Sequence, residues 1–316
     1  MGRYIVRRIL QMIPTLLLVT FATYALLLIV PGDPVATVVG QGQQVEPETV
    51  QRIRHDLGLD QPIPVQYGKW LWRVLHGDLG RSTFTKQPVL TEIAQKVPVT
   101  IQVGLAGWLV SIFIAIPAGI ISAVKRNSWI DIMATLFSLG GMAIPGFWLA
   151  IMLILVFCIW LGWLPPFGFV SILSDPGQAL RLLILPAITI GISITAGNMR
   201  QTRAAMLEVL AQDYVRTARA KGLHERTVIW LHVLKNALLP VVTIMGMQLG
   251  GLIAGAFIIE MIFVIPGVGR TGVQAIFNKD FPMVQGILLI CSLAMLFANL
   301  ITDLIYAWLD PRIRYQ

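Results

Sequence analysis

The chain has 316 residues, of which 56% are apolar and 13% charged, too little polar surface to cover a soluble globule, so it is read as a membrane protein. Its net charge of +8 is placed asymmetrically along the sequence and reports topology, so nucleic-acid binding is not needed to explain it. Cys158 and Cys291 fall in apolar runs without a CxxC partner or a histidine neighbour in sequence, and read as packing residues.

In chain order, a basic start over 1–8 with Arg3, Arg7 and Arg8 precedes a first expected span over 9–30. Its apolar core exceeds the roughly 7–15 residues of a signal-peptide core, and no small-x-small cleavage site follows. Arg7-Arg8 lacks the surrounding twin-arginine motif. The helix is therefore read as retained. Residues 31–98 form an external helical cap with as many acidic as basic residues. Within it Pro47, Val50, Ile53, Leu57 and Gly58 predict one short helix with a proline start and glycine stop. A second is expected over Val65–Leu75 with Trp70, Leu71, Val74 and Leu75 on one side, and Val89, Ile93 and Val97 lead towards the next span.

Further spans are expected over 99–124, 132–160, 182–202, 237–260 and 283–307, each meeting or approaching the roughly 20 apolar residues that a crossing helix requires. The run from Ile132 is long enough for two, but Gly162-Trp-Leu-Pro-Pro-Phe-Gly168 ends a helix instead of starting one and is read as an external turn. The result is an all-α protein of six spans, with a cytoplasmic loop at 203–236, an external loop at 261–282 and a C-terminal segment at 308–316. Lys125, Arg126, Arg200, Arg203, Arg216, Arg219, Lys221, Arg226, Lys235, Arg312 and Arg314 join the N-terminal arginines on one side, against Arg181, Arg270 and Lys279 in the short loops on the other. That bias puts both termini inside. Tyr4, Trp129, Trp160, Trp163, Trp230 and Trp308 lie near expected span ends, as interfacial anchors do. Trp70 and Trp72 lie in the cap.

The sequence contains no G-x-x-x-x-G-K-[ST] loop, no HExxH and no G-x-S-x-G, and its histidines, His55, His76, His224 and His232, are scattered. No span holds a pair of carboxylates. An enzyme, a nucleotide-binding protein and a metal site are accordingly not expected, and no cofactor is assigned to this chain. No tandem repeat and no inverted duplication of short broken helices is present.

The cytoplasmic loop is the informative segment. Leu207, Leu210, Ala211, Tyr214 and Ala218 follow helical spacing and predict one apolar face, with Arg216 and Arg219 pointing elsewhere. Gly222 is placed to stop that helix, and Leu223-His-Glu-Arg226 to begin another. One reading is an amphipathic helix on anionic headgroups. The small residues Thr217, Ala218, Ala220 and Gly222 instead suit the close approach of another protein. In the spans, Gly246 and Gly250, then Gly251 and Gly255, stand four apart and permit close helix packing, within one subunit or at a seam between two. Asn198, Gln248 and Asn299 are polar inside spans, facing a pathway or bonding between helices, and Glu260 near the outer end of the fifth span is a functional candidate by depth. Asp303 is expected to pair locally.

With these residues on the page, the chain resembles the inner-membrane permease subunits of ATP-binding-cassette importers, in the dipeptide, oligopeptide and nickel branch. In such importers a cytoplasmic loop runs from Glu-Ala-Ala through a glycine to Leu-Pro. Here Arg216-Thr-Ala218, Gly222 and Leu239-Pro240 take those places, with Arg216 and Thr217 replacing the first two residues and a longer interval before Pro240. Tyr214-x-Arg-Thr-Ala-Arg-Ala-Lys-Gly222 and Asn236-Ala-x-x-Pro-Val241 match the branch variant, as do Pro31-Gly-Asp-Pro34, Gly77-Asp-Leu-Gly80, Ile265-Pro-Gly-Val-Gly-Arg270 and Leu309-Asp-Pro-Arg-Ile-Arg314. The resemblance implies a type I importer fold. It also implies a second permease, two cytoplasmic ATPases carrying ATP and magnesium, an external binding protein, and the inner membrane of a bacterium or archaeon. It makes the helix after Gly222 the coupling helix, with Arg216, Arg219, Lys221 and Arg226 pairing with ATPase carboxylates, Ala218 and Gly222 permitting close packing, and Tyr214, Thr217, Leu223 and Pro240 completing the docking loop. Expected cargo is a dipeptide or oligopeptide, with chelated nickel or a glutathione-like compound as alternatives. A stand-alone channel or secondary transporter, and a structural or signalling subunit, are rivals from other classes.

Overall fold

The computed structural model describes residues 2–29, 48, 51 and 60–309. The cap helix expected from Pro47 to Gly58, the Pro31–Pro34 motif, the C-terminal residues from Asp310 and the Asp303 side chain lie outside the described residues. Among the described residues there is no strand, and Arg81 and Pro88 form an isolated bridge.

Helices follow in order: α1 Gly2–Ile29, α2 Ile63–Leu75, α3 Val89–Val124, α4 Trp129–Ala143 and α5 Gly146–Leu153, the last continuing as a π-helix over Ile154–Trp160. Then come α6 Pro176–Leu210, α7 Asp213–Ala220, the short α8 Glu225–Thr227 running into a π-helix at Val228–Val233, and α9 Leu234–Gly255. α10 Phe257–Ile262, α11 Val268–Phe277 and α12 Phe281–Leu309 complete the chain. Val89–Val124, Pro176–Leu210, Glu225–Leu249 and Phe281–Thr302 are long and apolar enough to cross a bilayer, and α1 holds a shorter apolar stretch, Leu10–Ala25.

The span expected over 132–160 is not one straight helix. α4 and α5 meet at 101°. The cause is local: proline disfavours helical backbone at the residue before it, and Ile144 is extended at φ −82 and ψ 119 ahead of Pro145. Because the surrounding run is uninterruptedly apolar, hydropathy alone hides the break.

Two compact units are present. One is built from Thr100–Ile265 and the segment from Phe297, the other from the described parts of Gly2–Val99 with Pro266–Leu296. In the first, α6 is central and α4, α5 and α9 pack on it. α3 and α6 pack tightly at two glycines: a Cβ on Gly107 would lie 2.5 Å from Ile190 Cβ, and one on Gly191 would lie 2.6 Å from Val110 Cγ1 and 3.0 Å from the Gly107 carbonyl. Only glycine permits that approach.

In the second unit α2 lies on α1. Tyr67 meets Phe21 edge-on with centroids 5.2 Å apart, Trp70 is buried beside Tyr24 and Tyr67, and the Thr20 and Tyr67 hydroxyls are 2.8 Å apart. The buried side of α2 therefore runs Gln66, Tyr67, Trp70, Leu71 and Val74, while Leu75, expected with them, is 72% exposed. Leu75 lies at the helix end, one residue beyond the stripe that faces α1. Asp280 is buried just before α12. Its carboxylate accepts from the Met283 amide at 3.3 Å, capping that helix, from the Thr83 amide at 3.1 Å and from the Ser82 hydroxyl.

Candidate functional site

The loop between α6 and α9 is folded on its own bundle. Helix α6 runs past the expected boundary at residue 202 to Leu210, and a turn at Ala211–Gln212 resets the register before α7. One continuous apolar face from Leu207 to Ala218 is thus not formed. Ala211 and Tyr214 are exposed, and Val215 takes the inward position with Ala218. These two join Val228, Val233 and Leu234 in a core with Ala123 of α3, Ala205 and Met206 of α6 and Ala237, Val241 and Met245 of α9. Ala218, assigned to contact with another protein, is in fact spent on this internal packing.

Gly222 ends α7 in the left-handed region at φ +77. The Leu223 amide reaches back to the Ala218 carbonyl at 3.4 Å and the Gly222 amide to the Arg219 carbonyl at 2.9 Å. That paired closure is the helix-ending arrangement that glycine favours. His224 then opens the next helix, its Nδ1 accepting from the Arg226 amide at 3.2 Å.

The cations of the loop divide. Arg219 donates to Glu225 from Nη2 at 2.6 Å and from Nε at 3.1 Å, a bridge across the Gly222 turn within this chain. The hydrogen bond to that carboxylate pushes the Arg219 guanidinium further above its ordinary pKa. Arg219 is thereby paired within the chain while staying exposed, and Arg216, Lys221 and Arg226 are exposed as well. Arg216 approaches Asp213 only at 3.8 Å, with both side chains largely in solvent. Thr217 donates to the Asp213 carbonyl at 3.0 Å, and Leu223 is exposed beside the turn. Tyr214 serves geometry: its hydroxyl accepts from Asn236 Nδ2 at 2.8 Å and donates to the His232 carbonyl at 3.3 Å. His232 lies in the π-helical stretch Val228–Val233. Pro240 is exposed inside α9 and removes one amide from that helix.

A buried clamp was not foreseen. Asp131, in the first turn of α4, accepts Arg203 Nε at 2.8 Å and Nη2 at 2.9 Å, together with the Ser122 hydroxyl and the Asn127 amide at 2.9 Å. Ser128 caps the same helix by accepting from the Asp131 amide. The Ser-x-x-Asp spacing from Ser128 to Asp131 was the available signal for that helix start.

Among the polar span residues, Asn198 and Gln248 form a reciprocal amide pair between α6 and α9. Gln248 donates to Asn198 at 2.7 Å, and Asn198 donates back at 3.0 Å and to Ser111 at 3.1 Å. Asn198 is thus buried between helices, while Gln248 is partly open. Asn299 is half-buried on α12. Glu260 is fully buried and accepts the Thr100 hydroxyl at 2.6 Å, so it is a packed group and not a wet one. The α9 glycines separate. A Cβ on Gly246 would stand 3.5 Å from Thr302 of the same chain, whereas one on Gly251 meets open space. Gly250 and Gly255 lie on the same helix.

Comparison with known proteins follows the same outline. Residues 115–315 match the family model described as binding-protein-dependent transport system inner membrane component, and residues 1–104 match the N-terminal model of such membrane components. A putative peptide transport system permease protein of Brucella abortus (strain 2308) is 44% identical over 316 residues, covering 100% of both chains. A dipeptide transport system permease protein of Alkalihalophilus pseudofirmus is 39% identical over 332 residues, covering 99% of each. A glutathione transport system permease protein of Pectobacterium atrosepticum is 38% identical, covering 100% of both. Among solved structures, an inward-facing form of the MetNI methionine ABC transporter aligns with a TM-score of 0.55 at 17% identity, over 69% of this chain and 96% of that one, which speaks for the fold.

Proposed function

The chain belongs to the inner membrane components of binding-protein-dependent transport systems, the permease subunits of ATP-binding-cassette importers, and from that premise we propose how it works and what it carries. It is a multi-pass inner-membrane protein. The reading is a peptide permease, with both termini and the loop after α6 in the cytoplasm. It pairs with a second permease, receives cargo from an external binding protein, and is driven by two ATPases that hold ATP and magnesium and perform the hydrolysis. Peptide cargo is favoured because similar chains are peptide and dipeptide transport permeases, and glutathione is the second reading because another is a glutathione transport permease.

The observation that carries the mechanism is the two-sided build of the loop. Its inner side, Val215, Ala218, Val228 and Val233, is locked into the bundle, and its outer side presents Arg216, Lys221, Leu223 and Arg226. A push on the outer side is therefore delivered to α3, α6 and α9 instead of being absorbed by a slack linker. Cargo that binds the two conformations unequally then gives the cycle its direction.

The test is purification from native membranes followed by reconstitution with whatever subunits come along. Two ATPases and a second permease should co-purify, and labelled di- and tripeptides should enter vesicles only with ATP and binding protein. A chain that purifies alone and conducts without ATP would be a channel or secondary transporter. Uptake of glutathione in preference to peptides would move the cargo assignment and leave the mechanism.

A further inference from the structure

A cavity of about 440 Å³ opens in the Thr100–Ile265 unit, midway along α6 and beside the break between α4 and α5. Phe147, Ile190, Ile194, Leu252 and Ile258 supply most of its wall. Its polar members are already occupied: Thr189 donates to the Leu185 carbonyl at 2.8 Å, Ser193 to the Thr189 carbonyl at 3.0 Å, and Gln248 is paired both ways with Asn198. Among the described residues, no charged side chain lines it.

We propose that this cavity is a cargo subsite that takes the apolar side chain of a peptide in transit, an inference that rests on the peptide-permease reading above. Three observations converge. An apolar cavity of about 150 Å³ is enough for benzene, so this one holds an aromatic side chain with room for adjoining backbone. Its wall is almost wholly apolar and its polar members are already hydrogen-bonded within the chain, so a charged side chain would find no partner there. Irregular backbone at membrane depth is tolerated where it is packed in protein or lines a cavity, and the Ile144–Pro145 break delivers Gly146 and Phe147 to this wall.

Gly251 provides the probe. It lines the cavity, and a Cβ there meets no heavy atom within 4 Å. Gly251→Trp therefore fills the space without displacing the chain's own atoms at the first carbon. In the reconstituted full transporter, the measurement is the uptake ratio of a Leu-Phe to an Ala-Ala dipeptide, with Gly251→Ala alongside. The expected result is a fall of at least tenfold in that ratio for Gly251→Trp and little change for Gly251→Ala, with subunits still co-purifying. An unchanged ratio, or equal loss of both dipeptides, overturns the subsite. Loss of the second permease from the purified Gly251→Trp complex also overturns it and makes the space a seam between subunits. A second measurement uses the unsubstituted protein: a dipeptide bearing benzoylphenylalanine is photolysed during ATP turnover and its adducts mapped. Adducts on Phe147, Ile194 or Leu252 are expected, and adducts confined elsewhere refute the proposal. If the unsubstituted transporter carries no peptide at all, the cargo reading itself has failed. If it carries peptides with the ratio unmoved, only the subsite has.

Discussion

Arg203 holds Asp131 with two parallel hydrogen bonds, 2.8 and 2.9 Å long, joining the start of α4 to the C-terminal part of α6. The carboxylate also accepts from Ser122 and the Asn127 amide, so it is both an ion-pair partner and an acceptor at a helix N-terminus. Breaking a buried pair by removing one partner costs about 3–5 kcal/mol. Asp131→Ala and Arg203→Ala should each lower the melting temperature of the purified complex. The reversed pair, Asp131→Arg with Arg203→Asp, should recover little, because a cation then stands where the α4 amides favour an anion. Full recovery by the reversed pair would show that the charge attraction alone matters.

At Gly222 the constraint is conformational and not steric. A Cβ there meets nothing within 4 Å, yet φ is +77, which costs an ordinary L-residue about 1–2 kcal/mol. Gly222→Asn should keep most uptake and Gly222→Val should lose it. Gly222→Arg, which adds a cation beside Lys221 and Arg226, should abolish uptake while the protein still appears in the membrane fraction. Equal uptake by all three variants would remove this turn from coupling.

The bridge between Arg219 and Glu225 is half in solvent, so it contributes under about 1 kcal/mol to stability and weakens with salt. It ties the two sides of the Gly222 turn together. Arg219→Gln and Glu225→Gln should reduce transport-coupled ATP hydrolysis to the same extent, and the double variant should lose no more than either. If Arg219 instead contacts an ATPase directly, the Glu225 variant will be near normal and the Arg219 variant will not.

Asn198 and Gln248 tie α6 to α9 inside the apolar interior. Interhelical polar pairs of this kind in membranes are worth about 1–2 kcal/mol at most. Asn198→Ala leaves Ser111 and Gln248 each short of a partner, so it should destabilise more than Gln248→Leu. A double-mutant cycle read by thermal unfolding should give a coupling free energy clearly different from zero, and additivity would place the two amides in separate environments.

The helical, apolar character of the chain, its family and the Gly222 stop were legible because each rests on local chemistry: apolar runs, a motif order along the chain, and a glycine that must turn left-handed. What hydropathy did not show depends on one residue or on distant partners. Pro145 breaks a span without changing its polarity. The Ala211–Gln212 turn shifts the buried position from Tyr214 to Val215 by resetting helical phase. Arg219 is exposed as its sequence suggests, but its pairing with Glu225 across the Gly222 turn is not visible there, and Asp131 was invisible as a clamp because Arg203 is remote in sequence. Gly246 and Gly251 look alike in sequence, yet one meets Thr302 and the other empty space.

The Asp280 carboxylate adds a consequence for biosynthesis. Ser82 and Asp280 are 198 positions apart, and the turn at 82–85 closes on an acceptor that the ribosome supplies only near the end of the chain. While the intervening helices are being inserted, that turn lacks the Asp280 carboxylate. A polypeptide truncated before position 280 would leave the turn at 82–85 without the acceptor it closes on.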